Sequence, residues 1–479
     1  MVINYNKKLK IIIEDYFSHI RNKKIFFCDV DCKYSSIEFI SKVINYKNEL
    51  KKIWKDQKNN LGVGILLERN IDYIAMIFAT WLSGGYYVPL SLSSPEKNTK
   101  YQIFNSKISL IVKKEGNKII FKKILNKNKI RFKTKDFDIA YIIFTSGSTG
   151  LKKGVLIKKS SFISYINNIK KSLNTKVKPK SILINGEMTF DISLADIAFA
   201  FNFNASLSVT NDSRNLISLI SMLNEYKINS LYVVPSTLKR IVHFCQLSKN
   251  IKFSNVTQIN IGGELLSYDL AKSAKKIFKK ANFYNFYGPT EFTINATFHK
   301  INFNKKNYLD NNVPIGKPLS NNKFILKKTS KKNKYGELLL SGDQLMGSYT
   351  NAKNPFVKIN RKIYYKTGDL VNIDKNNDIY FISRKNSYIK HLGYRINLDH
   401  IEKIISKLTN TDCKIIHNKN QLFALLKSKS KININLILNK IKLSLENYEI
   451  PNKFIFLKDF LYSSSGKVDL KKLSKKYLS

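Results

Sequence analysis

The chain has 479 residues and a formal net charge of +49, from 83 Lys and Arg against 34 Asp and Glu. Hydrophobic residues make up 43% and aromatic residues 12% of it, which is enough for a packed core in one large domain and a small one. The longest apolar run, Tyr73 to Leu82, is too short to span a bilayer, and no signal-peptide core precedes Glu14, so we expect a cytoplasmic protein without a membrane span.

The positive charge is distributed rather than concentrated. A charge of this size attracts nucleic acid, anionic membranes or acidic proteins. The lysines, however, are spread along the whole chain and form no single basic segment, so we expect no nucleic-acid partner. The four cysteines lack the paired spacing of a metal site and are expected to be reduced thiols.

A strand, a helix and a second strand are predicted near the beginning of the chain. Helical periodicity runs through residues 1–60, and the apolar segment Leu61 to Leu67 then predicts a buried strand. Asp72 is expected to cap a helix that runs to Leu82, and an apolar run to Leu90 predicts the next strand. This succession is a βαβ unit, so we expect a parallel sheet covered by helices.

The segment from Tyr141 to Val155 has the composition of a phosphate-binding loop. Its apolar start predicts a buried strand, and small hydroxyl residues and glycines follow: Thr145, Ser146, Gly147, Ser148, Thr149 and Gly150. Glycines let backbone N–H groups approach a ligand, hydroxyls add donors for phosphate oxygens, and Lys153 adds a positive charge. A polar surface turn has a similar composition, so the residue types alone leave both interpretations open.

Three later segments place polar residues in or after apolar strands. Asp191 lies in an apolar segment, where as an isolated feature it predicts the N-cap of the helix that follows. Gly263 follows an apolar strand, and glycines at the carboxyl end of a parallel strand suit a ligand that lies over that end. Tyr287, in the string Asn-Phe-Tyr-Gly-Pro-Thr-Glu that ends at Glu291, offers a flat face for a purine.

These strings, in this order, resemble the core motifs of the adenylate-forming enzymes, a family that includes amino-acid adenylation domains, D-alanine–carrier-protein ligases, acyl-CoA synthetases and luciferases. The hydroxyl-rich string resembles the phosphate-loop signature of the family, with Lys152 where the family usually has Pro. The resemblance covers roughly Leu61 to Leu473. It implies an α/β fold with a large N-terminal domain of mixed and parallel sheets with helices, residues 1–385, and a small α+β C-terminal domain, residues 386–479.

The resemblance also implies roles for single residues. Lys467, in Ser-Gly-Lys-Val-Asp, is expected to contact carboxylate and phosphate oxygens during catalysis, together with Lys153 and Thr290. Glu291 is the expected ligand of Mg²⁺, which takes one or two carboxylates besides phosphates. Asp369, in Tyr-Lys-Thr-Gly-Asp, is expected to accept both ribose hydroxyls. The nucleotide-binding residues implied are Thr145, Ser146, Gly147, Ser148, Thr149, Gly150, Gly263, Glu264, Tyr287, Asp369 and Arg384.

The substrate is expected to be an amino acid. The string Phe-Asp-x-Ser around Asp191 resembles the motif of amino-acid-activating members, whose Asp binds the ammonium group in a charge-assisted contact. By family position, the amino-acid pocket is lined by Asp191, Ile192, Ala195, Asn260, Gly262, Phe286 and Ile294. D-alanine or another small neutral amino acid is the first expectation.

Besides Lys152, four positions depart from the family pattern. Ser383 replaces a usual Gly, Asn386 a usual Asp or Lys, Asn397 a usual Glu and Leu470 a usual Arg. The hinge between the two domains is expected at Asn386, because Asn tolerates unusual backbone angles.

The sequence therefore predicts an AMP-forming ligase that uses ATP and Mg²⁺, activates an amino acid as aminoacyl-AMP and transfers it to the phosphopantetheine thiol of a carrier protein. Because the chain ends at Ser479, the carrier is expected to be a separate protein. One alternative is an AMP-forming acyl-CoA synthetase for a fatty or aryl acid, against which Asp191 argues. The other is a non-catalytic binding protein, which the four departures allow.

Overall fold

The computed structural model describes residues 4–55, 61–124, 138–145, 152–173, 178–248, 251, 253–305, 308–328, 335–384, 388–428, 433–461 and 468–478. The chain divides into two compact units. The first takes Met1–Leu92, Gln102–Thr145 and Lys153–Lys385, and the second takes Ser93–Tyr101, Ser146–Lys152 and Asn386–Ser479. The division into domains 1–385 and 386–479 stays a prediction, because the second unit also includes two segments from earlier in the chain.

Helices and strands alternate along the described residues. The helices are α1 (Tyr5–Arg21), α2 (Ser36–Ile53), α3 (Ile71–Leu82), α4 (Glu96–Ser106), α5 (Lys159–Ser172), α6 (Ile192–Phe203), α7 (Leu216–Glu225), α8 (Pro235–Leu247), α9 (Tyr268–Ile277), α10 (Leu398–Thr409), α11 (Ile434–Lys442) and α12 (Leu470–Tyr477), with short 3-10 helices at Thr290–Phe292 and Leu309–Asn311.

The strands are β1 (Phe26–Cys28), β2 (Lys33–Ser35), β3 (Gly62–Leu66), β4 (Tyr86–Pro89), β5 (Leu110–Glu115), β6 (Lys118–Lys123), β7 (Ile139–Thr145), β8 (Lys153–Lys158), β9 (Ser181–Ile184), β10 (Ser206–Val209), β11 (Ser230–Val233), β12 (Gln258–Gly262), β13 (Asn282–Tyr287), β14 (Thr297–Lys300), β15 (Lys317–Pro318), β16 (Lys323–Lys327), β17 (Tyr335–Ser341), β18 (Ser348–Tyr349), β19 (Phe356–Ile359), β20 (Lys362–Ile373), β21 (Ile379–Arg384), β22 (Tyr388–His391), β23 (Tyr394–Asn397), β24 (Cys413–Asn418), β25 (Gln421–Lys427) and β26 (Lys453–Leu457).

Two large sheets form the core of the first unit. Within the described ranges, one has nine strands in the order β15-β14-β13-β12-β11-β9-β10-β1-β2 and the other has seven in the order β18-β8-β7-β4-β3-β5-β6. Strands β9 to β13 pair in parallel, as do β3, β4 and β5. Because parallel strands end at the same edge of a sheet, the loops after β9, β11, β12 and β13 lie together. A smaller antiparallel sheet contains β16, β17, β19, β20 and β21.

This architecture confirms the predicted α/β class and the predicted βαβ unit. Strand β3 pairs in parallel with β4, and α3 connects them. The predicted cap of α3 is wrong, because Asn70 occupies the N-cap and accepts a hydrogen bond from the Tyr73 N–H. Asp72 lies inside the first turn instead. Its carboxylate accepts hydrogen bonds from Lys42 at 2.7 Å and from Tyr46 at 2.5 Å.

The beginning of the chain is less helical than its periodicity predicts. The hairpin of β1 and β2 separates α1 from α2. Each of these strands has only three residues, too few to show an alternating pattern in the sequence. A capping box then starts α2, in which Ser35 and Glu38 exchange side-chain and backbone hydrogen bonds.

The second unit contains the two-stranded sheet of β22 and β23 and the three-stranded sheet of β24, β25 and β26. It also contains a buried carboxylate, Glu446. One oxygen of Glu446 accepts hydrogen bonds from Ser94, Asn98 and Lys152 at 2.7–2.8 Å. Lys152, the residue that departs from the family's Pro, therefore has a structural role as the partner of a buried acid. Among the described helices, none has the length and apolar character needed to cross a bilayer.

One glycine lets two segments next to the predicted nucleotide site pass very close to each other. Gly288 follows β13, and a Cβ atom added there would lie 2.0 Å from the carbonyl oxygen of Ile294 and 2.6 Å from the Asn295 Cα. These neighbours are backbone atoms, which cannot rotate away.

We therefore expect Gly288→Ala to destabilise the protein by about 2 kcal/mol or more, since forced overpacking typically costs 1–3 kcal/mol. Gly116→Ala is the matched control. A Cβ at Gly116 has nothing within 4 Å, so that change carries only the strain of its positive φ, about 1 kcal/mol. The melting temperatures of the two variants measure this difference in stability. Equal melting temperatures would show that the backbone at Gly288 does not pass so close to Ile294 and Asn295.

Candidate active site

Three of the predicted nucleotide-binding residues meet in the first unit. Asp369 lies in the middle of β20 with no exposed surface, Arg384 pairs with it from β21, and Tyr287 ends β13. The Tyr287 hydroxyl donates to Asp369 Oδ2 at 2.6 Å, and Arg384 Nη2 donates to the same oxygen at 3.3 Å. Arg384 Nε lies 2.8 Å from Asp369 Oδ1, which is the distance of an ion pair. Its burial excludes a position in a surface turn for Asp369.

The charge of this cluster is balanced internally. Burial, followed by the negative charge of Asp369, raises the pKa of Tyr287 well above its usual value. The phenol therefore stays protonated and donates to Asp369, while the guanidinium of Arg384 neutralises the carboxylate. These contacts hold the Asp369 carboxylate in a fixed position, from which its oxygens can accept hydroxyl donors.

A second group joins Lys153, Glu291 and a tyrosine that the sequence analysis missed. Glu291, in the 3-10 helix that starts at Thr290, is buried, and its Oε1 accepts a hydrogen bond from Tyr349 at 2.7 Å. Lys153 Nζ lies 5.4 Å from the centre of the same tyrosine ring, within cation–π distance. Tyr349 belongs to β18, which pairs with β8, the strand that starts at Lys153. Sheet pairing thus brings a predicted cation and a predicted metal ligand to one side chain.

The residues after β12 are arranged as a turn. Gly263 has φ of +92°, a conformation that favours glycine, and Glu264 follows it. The Glu264 carboxylate accepts from the Ser236 N–H at 2.9 Å and from the Ser236 hydroxyl at 3.0 Å. Glu264 thereby caps the start of α8, whose own N-cap residue, Val234, makes no side-chain cap. A contact of Glu264 with a nucleotide stays a prediction.

The residues predicted to line the amino-acid pocket belong to α6 and its N-cap, to β12 and β13, and to the segment after β13. Asp191 is 6% exposed and stands at the N-cap position of α6, but its side chain makes no cap hydrogen bond. The simple interpretation of Asp191 as a helix cap is therefore not supported. Its negative charge contributes to the raised pKa of four buried tyrosines, so its carboxylate lies near their hydroxyls: Tyr87, Tyr141, Tyr165 and Tyr232.

Three further residues of the same interior were not among the predicted site residues: Tyr165, Tyr232 and Asn295. A Cβ at Gly262 would lie 2.4 Å from the Tyr232 hydroxyl oxygen and 2.8 Å from the Phe286 carbonyl oxygen. Asn295, next to Ile294, accepts from the Tyr232 hydroxyl at 3.0 Å and donates to the Tyr165 hydroxyl at 2.9 Å. No local motif marks these side chains, because α5, β11 and the loop after β13 bring them together from distant parts of the sequence.

Thr145, the first residue of the predicted phosphate loop, is described as the last residue of β7. Seven other predicted residues lie outside the described ranges: Ser146, Gly147, Ser148, Thr149, Gly150, Asn386 and Lys467. Of the predicted pocket residues, Ala195, Asn260, Gly262, Phe286 and Ile294 are buried, and Ile192 packs against Gly186.

The chain matches one protein-family model and is similar to several characterised proteins. Residues 54–350, more than half of the chain, match the family model described as AMP-binding enzyme. Zwittermicin A synthase ZmaJ of Bacillus cereus is 28% identical over 451 residues, which cover 86% of this chain and 85% of that protein. Bacitracin synthase 2 of Bacillus licheniformis is 27% identical over 447 residues, covering 88% of this chain but 17% of that much longer protein.

Two solved structures share the fold. The Vibrio cholerae adenylation domain AlmE, in complex with glycyl-adenosine-5'-phosphate, superimposes with a TM-score of 0.82 at 19% identity, covering 100% of this chain and 98% of that one. NpsA-ThdA, an artificially fused adenylation-PCP di-domain NRPS from Klebsiella oxytoca, gives a TM-score of 0.77 at 19% identity, covering 98% of this chain and 97% of that one.

We predict that Asp369→Ala weakens ATP binding about 10- to 100-fold, because a hydrogen bond to a charged group contributes about 1.5–3 kcal/mol. Asp378→Ala is the matched control. Asp378 is also a buried acid, paired with His299 at 3.3 Å, and has no predicted role with a nucleotide. Calorimetric titration of both folded variants with ATP measures the effect. If the Asp369 variant bound ATP as the Asp378 variant does, the role assigned to this carboxylate would be wrong.

Proposed function

Because this chain belongs to the AMP-binding enzyme family, whose members are adenylate-forming ligases, we propose that it activates an amino acid with ATP and transfers the aminoacyl group to the phosphopantetheine thiol of a separate carrier protein. The enzyme class, an AMP-forming ligase, follows from the family. The choice of an amino acid, the carrier and a cytoplasmic location are our proposals.

The observation that carries the amino-acid proposal is the placement of Asp191. Its carboxylate is buried at the start of α6, where its charge acts on four buried tyrosines, and it does not cap the helix. A buried carboxylate is stabilised by a cation at close range. The ammonium group of an amino acid provides that cation, whereas a fatty or aryl acid does not. The crystal structure of AlmE, which has the same fold, contains glycyl-adenosine-5'-phosphate, and this aminoacyl adenylate is consistent with the choice.

The first half reaction joins the substrate to AMP. A carboxylate oxygen of the amino acid attacks the α-phosphorus of ATP, a new P–O bond forms, and the bond to the β-phosphate oxygen breaks and releases pyrophosphate. Both reactants are negatively charged, so catalysis depends on positioning and on neutralising charge. The residues that would do so are Lys153, Thr290 and Lys467, while Asp369 would hold the ribose.

The residues around Glu291 fit a magnesium ion held mainly by the nucleotide. Glu291 is a single buried carboxylate, and the described residues contain no group of three or more His, Cys, Asp or Glu that could hold a metal. Mg²⁺ in nucleotide sites needs only one or two protein carboxylates besides phosphate oxygens and water. When bound, the ion would neutralise phosphate charge, and Glu291, held by Tyr349, would orient it.

In the second half reaction a thiol replaces AMP. The sulfur of the phosphopantetheine arm attacks the carbonyl carbon of the aminoacyl adenylate, the thiol proton is lost, and the bond to the AMP phosphate oxygen breaks. A carrier protein as the acceptor is supported by the adenylation-PCP di-domain with the same fold. The net charge of +49 favours an acidic partner, because opposite charges speed up the encounter.

The test of amino-acid activation is exchange of labelled pyrophosphate into ATP, measured with alanine and with its deaminated analogue, propionate, and then with other such pairs. The wild type should be active only with amino acids. Asp191→Ala should lower the ratio of kcat/KM for the amino acid over its analogue about 30-fold or more, since removing one partner of a buried charged pair costs about 2–5 kcal/mol. An unchanged ratio would return Asp191 to a structural role and favour the acyl-CoA synthetase.

Transfer of the aminoacyl group to the carrier can be tested separately. With ATP, an activated amino acid and a phosphopantetheinylated carrier supplied as a separate protein, intact-mass measurement should show an aminoacyl thioester on the carrier. Loading should fall as salt rises, because screening weakens the attraction between a basic enzyme and an acidic carrier. Equal loading of free coenzyme A would instead identify the protein as an acyl-CoA synthetase.

A further inference from the structure

A second acidic residue of α6 is buried without a hydrogen-bond partner among the described residues. Asp196 has no exposed surface, and neither of its carboxylate oxygens has a hydrogen-bond partner in the described part of the chain. Buried polar groups are nearly always hydrogen-bonded, and a buried carboxylate without donors is especially costly. An acid in this situation needs an explanation, and the proposed reaction so far does not use it.

A structural ion pair with Arg69 does not explain Asp196. Arg69 is the cation whose charge lowers the pKa of Asp196, against the larger effect of burial, which raises it well above its usual value. The donors of Arg69, however, point to other acceptors. Nε and Nη1 donate to the carbonyl oxygens of Thr210 and Gly186 at 3.0 and 2.6 Å, and Nη2 donates to the Thr210 hydroxyl at 3.1 Å.

The surroundings of Asp196 are those of the proposed amino-acid pocket. Asp196 directly follows Ala195 on α6, and its charge acts on the hydroxyls of Tyr165 and Tyr232. Asn295 joins these two hydroxyls. The charge of Asp191 also raises the pKa of these two hydroxyls, so both carboxylates lie near one buried group of polar side chains.

The same contacts limit the size of a ligand. The Tyr232 hydroxyl lies only 2.4 Å from where a Cβ at Gly262 would be, so the space next to Gly262 is already filled. Phe286 packs against the Tyr232 ring with centroids 5.7 Å apart. We therefore expect these groups to limit the length of a substrate side chain.

We propose that Asp196 is a second carboxylate of the amino-acid pocket, and that the substrate is an amino acid with a short side chain that ends in an amine. Asp191 binds the α-ammonium group and Asp196 the side-chain amine, so two buried negative charges meet two positive ones. This inference rests on the proposed function. It replaces the small neutral amino acid, such as D-alanine, that the sequence alone led us to expect.

The experiment compares amino acids of equal size with and without the second amine. 2,3-Diaminopropionate and 2-aminobutyrate differ by an amine in place of a methyl group, and 2,4-diaminobutyrate and norvaline differ in the same way. Pyrophosphate exchange with the wild-type protein should give a higher kcat/KM for the diamino acid of each pair. Asp196→Asn keeps the shape of the side chain and removes its charge, and it should lower that preference about 30-fold or more.

The outcomes separate the possible failures. A purely structural role of Asp196 would lower activity with both members of a pair equally, and it would overturn the inference, as would a wild-type preference for 2-aminobutyrate. In either case amino-acid activation itself would stand. Exchange with propionate but with no amino acid would overturn the proposed function and this inference together. If Asp196→Asn does not fold, the inference is tested by whether the wild-type protein has the higher kcat/KM for the diamino acid of each pair.

Discussion

The ion pair and hydrogen bonds around one fully buried carboxylate, Asp369, hold the predicted nucleotide side of the first unit together. Tyr287 reaches it from the nine-stranded sheet, whereas Arg384 reaches it from the neighbouring strand of the smaller antiparallel sheet. A buried carboxylate that loses its partner typically costs 3–5 kcal/mol. The requirement to keep Asp369 neutralised therefore fixes the relative position of two sheets, and with it the position of the predicted purine-facing tyrosine.

The buried acids of this chain fall into two kinds. The protein supplies hydrogen-bond donors to Asp369 and to Glu446. Asp196 has none among the described residues. An unsatisfied buried carboxylate is costly in a low-dielectric interior, so Asp196 gains more than the other two acids from a donor on a bound ligand.

Sequence reasoning reached furthest where a prediction depends on short local strings. The motif residues Tyr287 and Glu291 are four positions apart, at the end of β13 and in the 3-10 helix that follows it, so their proximity needs no long-range information. The α/β class followed from the order of apolar runs and glycines for a similar reason. The cap of α3 was misplaced by two residues, because Asn70 and Asp72 are both good capping residues and only the backbone decides between them.

The missed residues share a different property. Tyr349, Tyr232 and Asn295 are ordinary residue types whose roles come from partners far away in the sequence. Tyr349 meets Glu291 across 58 positions, and Asn295 meets Tyr165 across 130. No local pattern encodes such a pair. Sheet pairing creates it, as when β18 aligns beside β8 and carries Tyr349 to Lys153.

The two acids of α6 show how one helix can give the same residue type two environments. Asp191 stands at the helix N-terminus, where the helix dipole favours a negative charge. Asp196 lies more than one turn further along the helix, where that field has fallen off, and burial raises its pKa. A ligand with two amines would therefore meet one carboxylate in the favourable field of the helix N-terminus and one whose charge the second amine itself stabilises. The energetic demand on the ligand is greatest at Asp196, so discrimination between substrates should be strongest there.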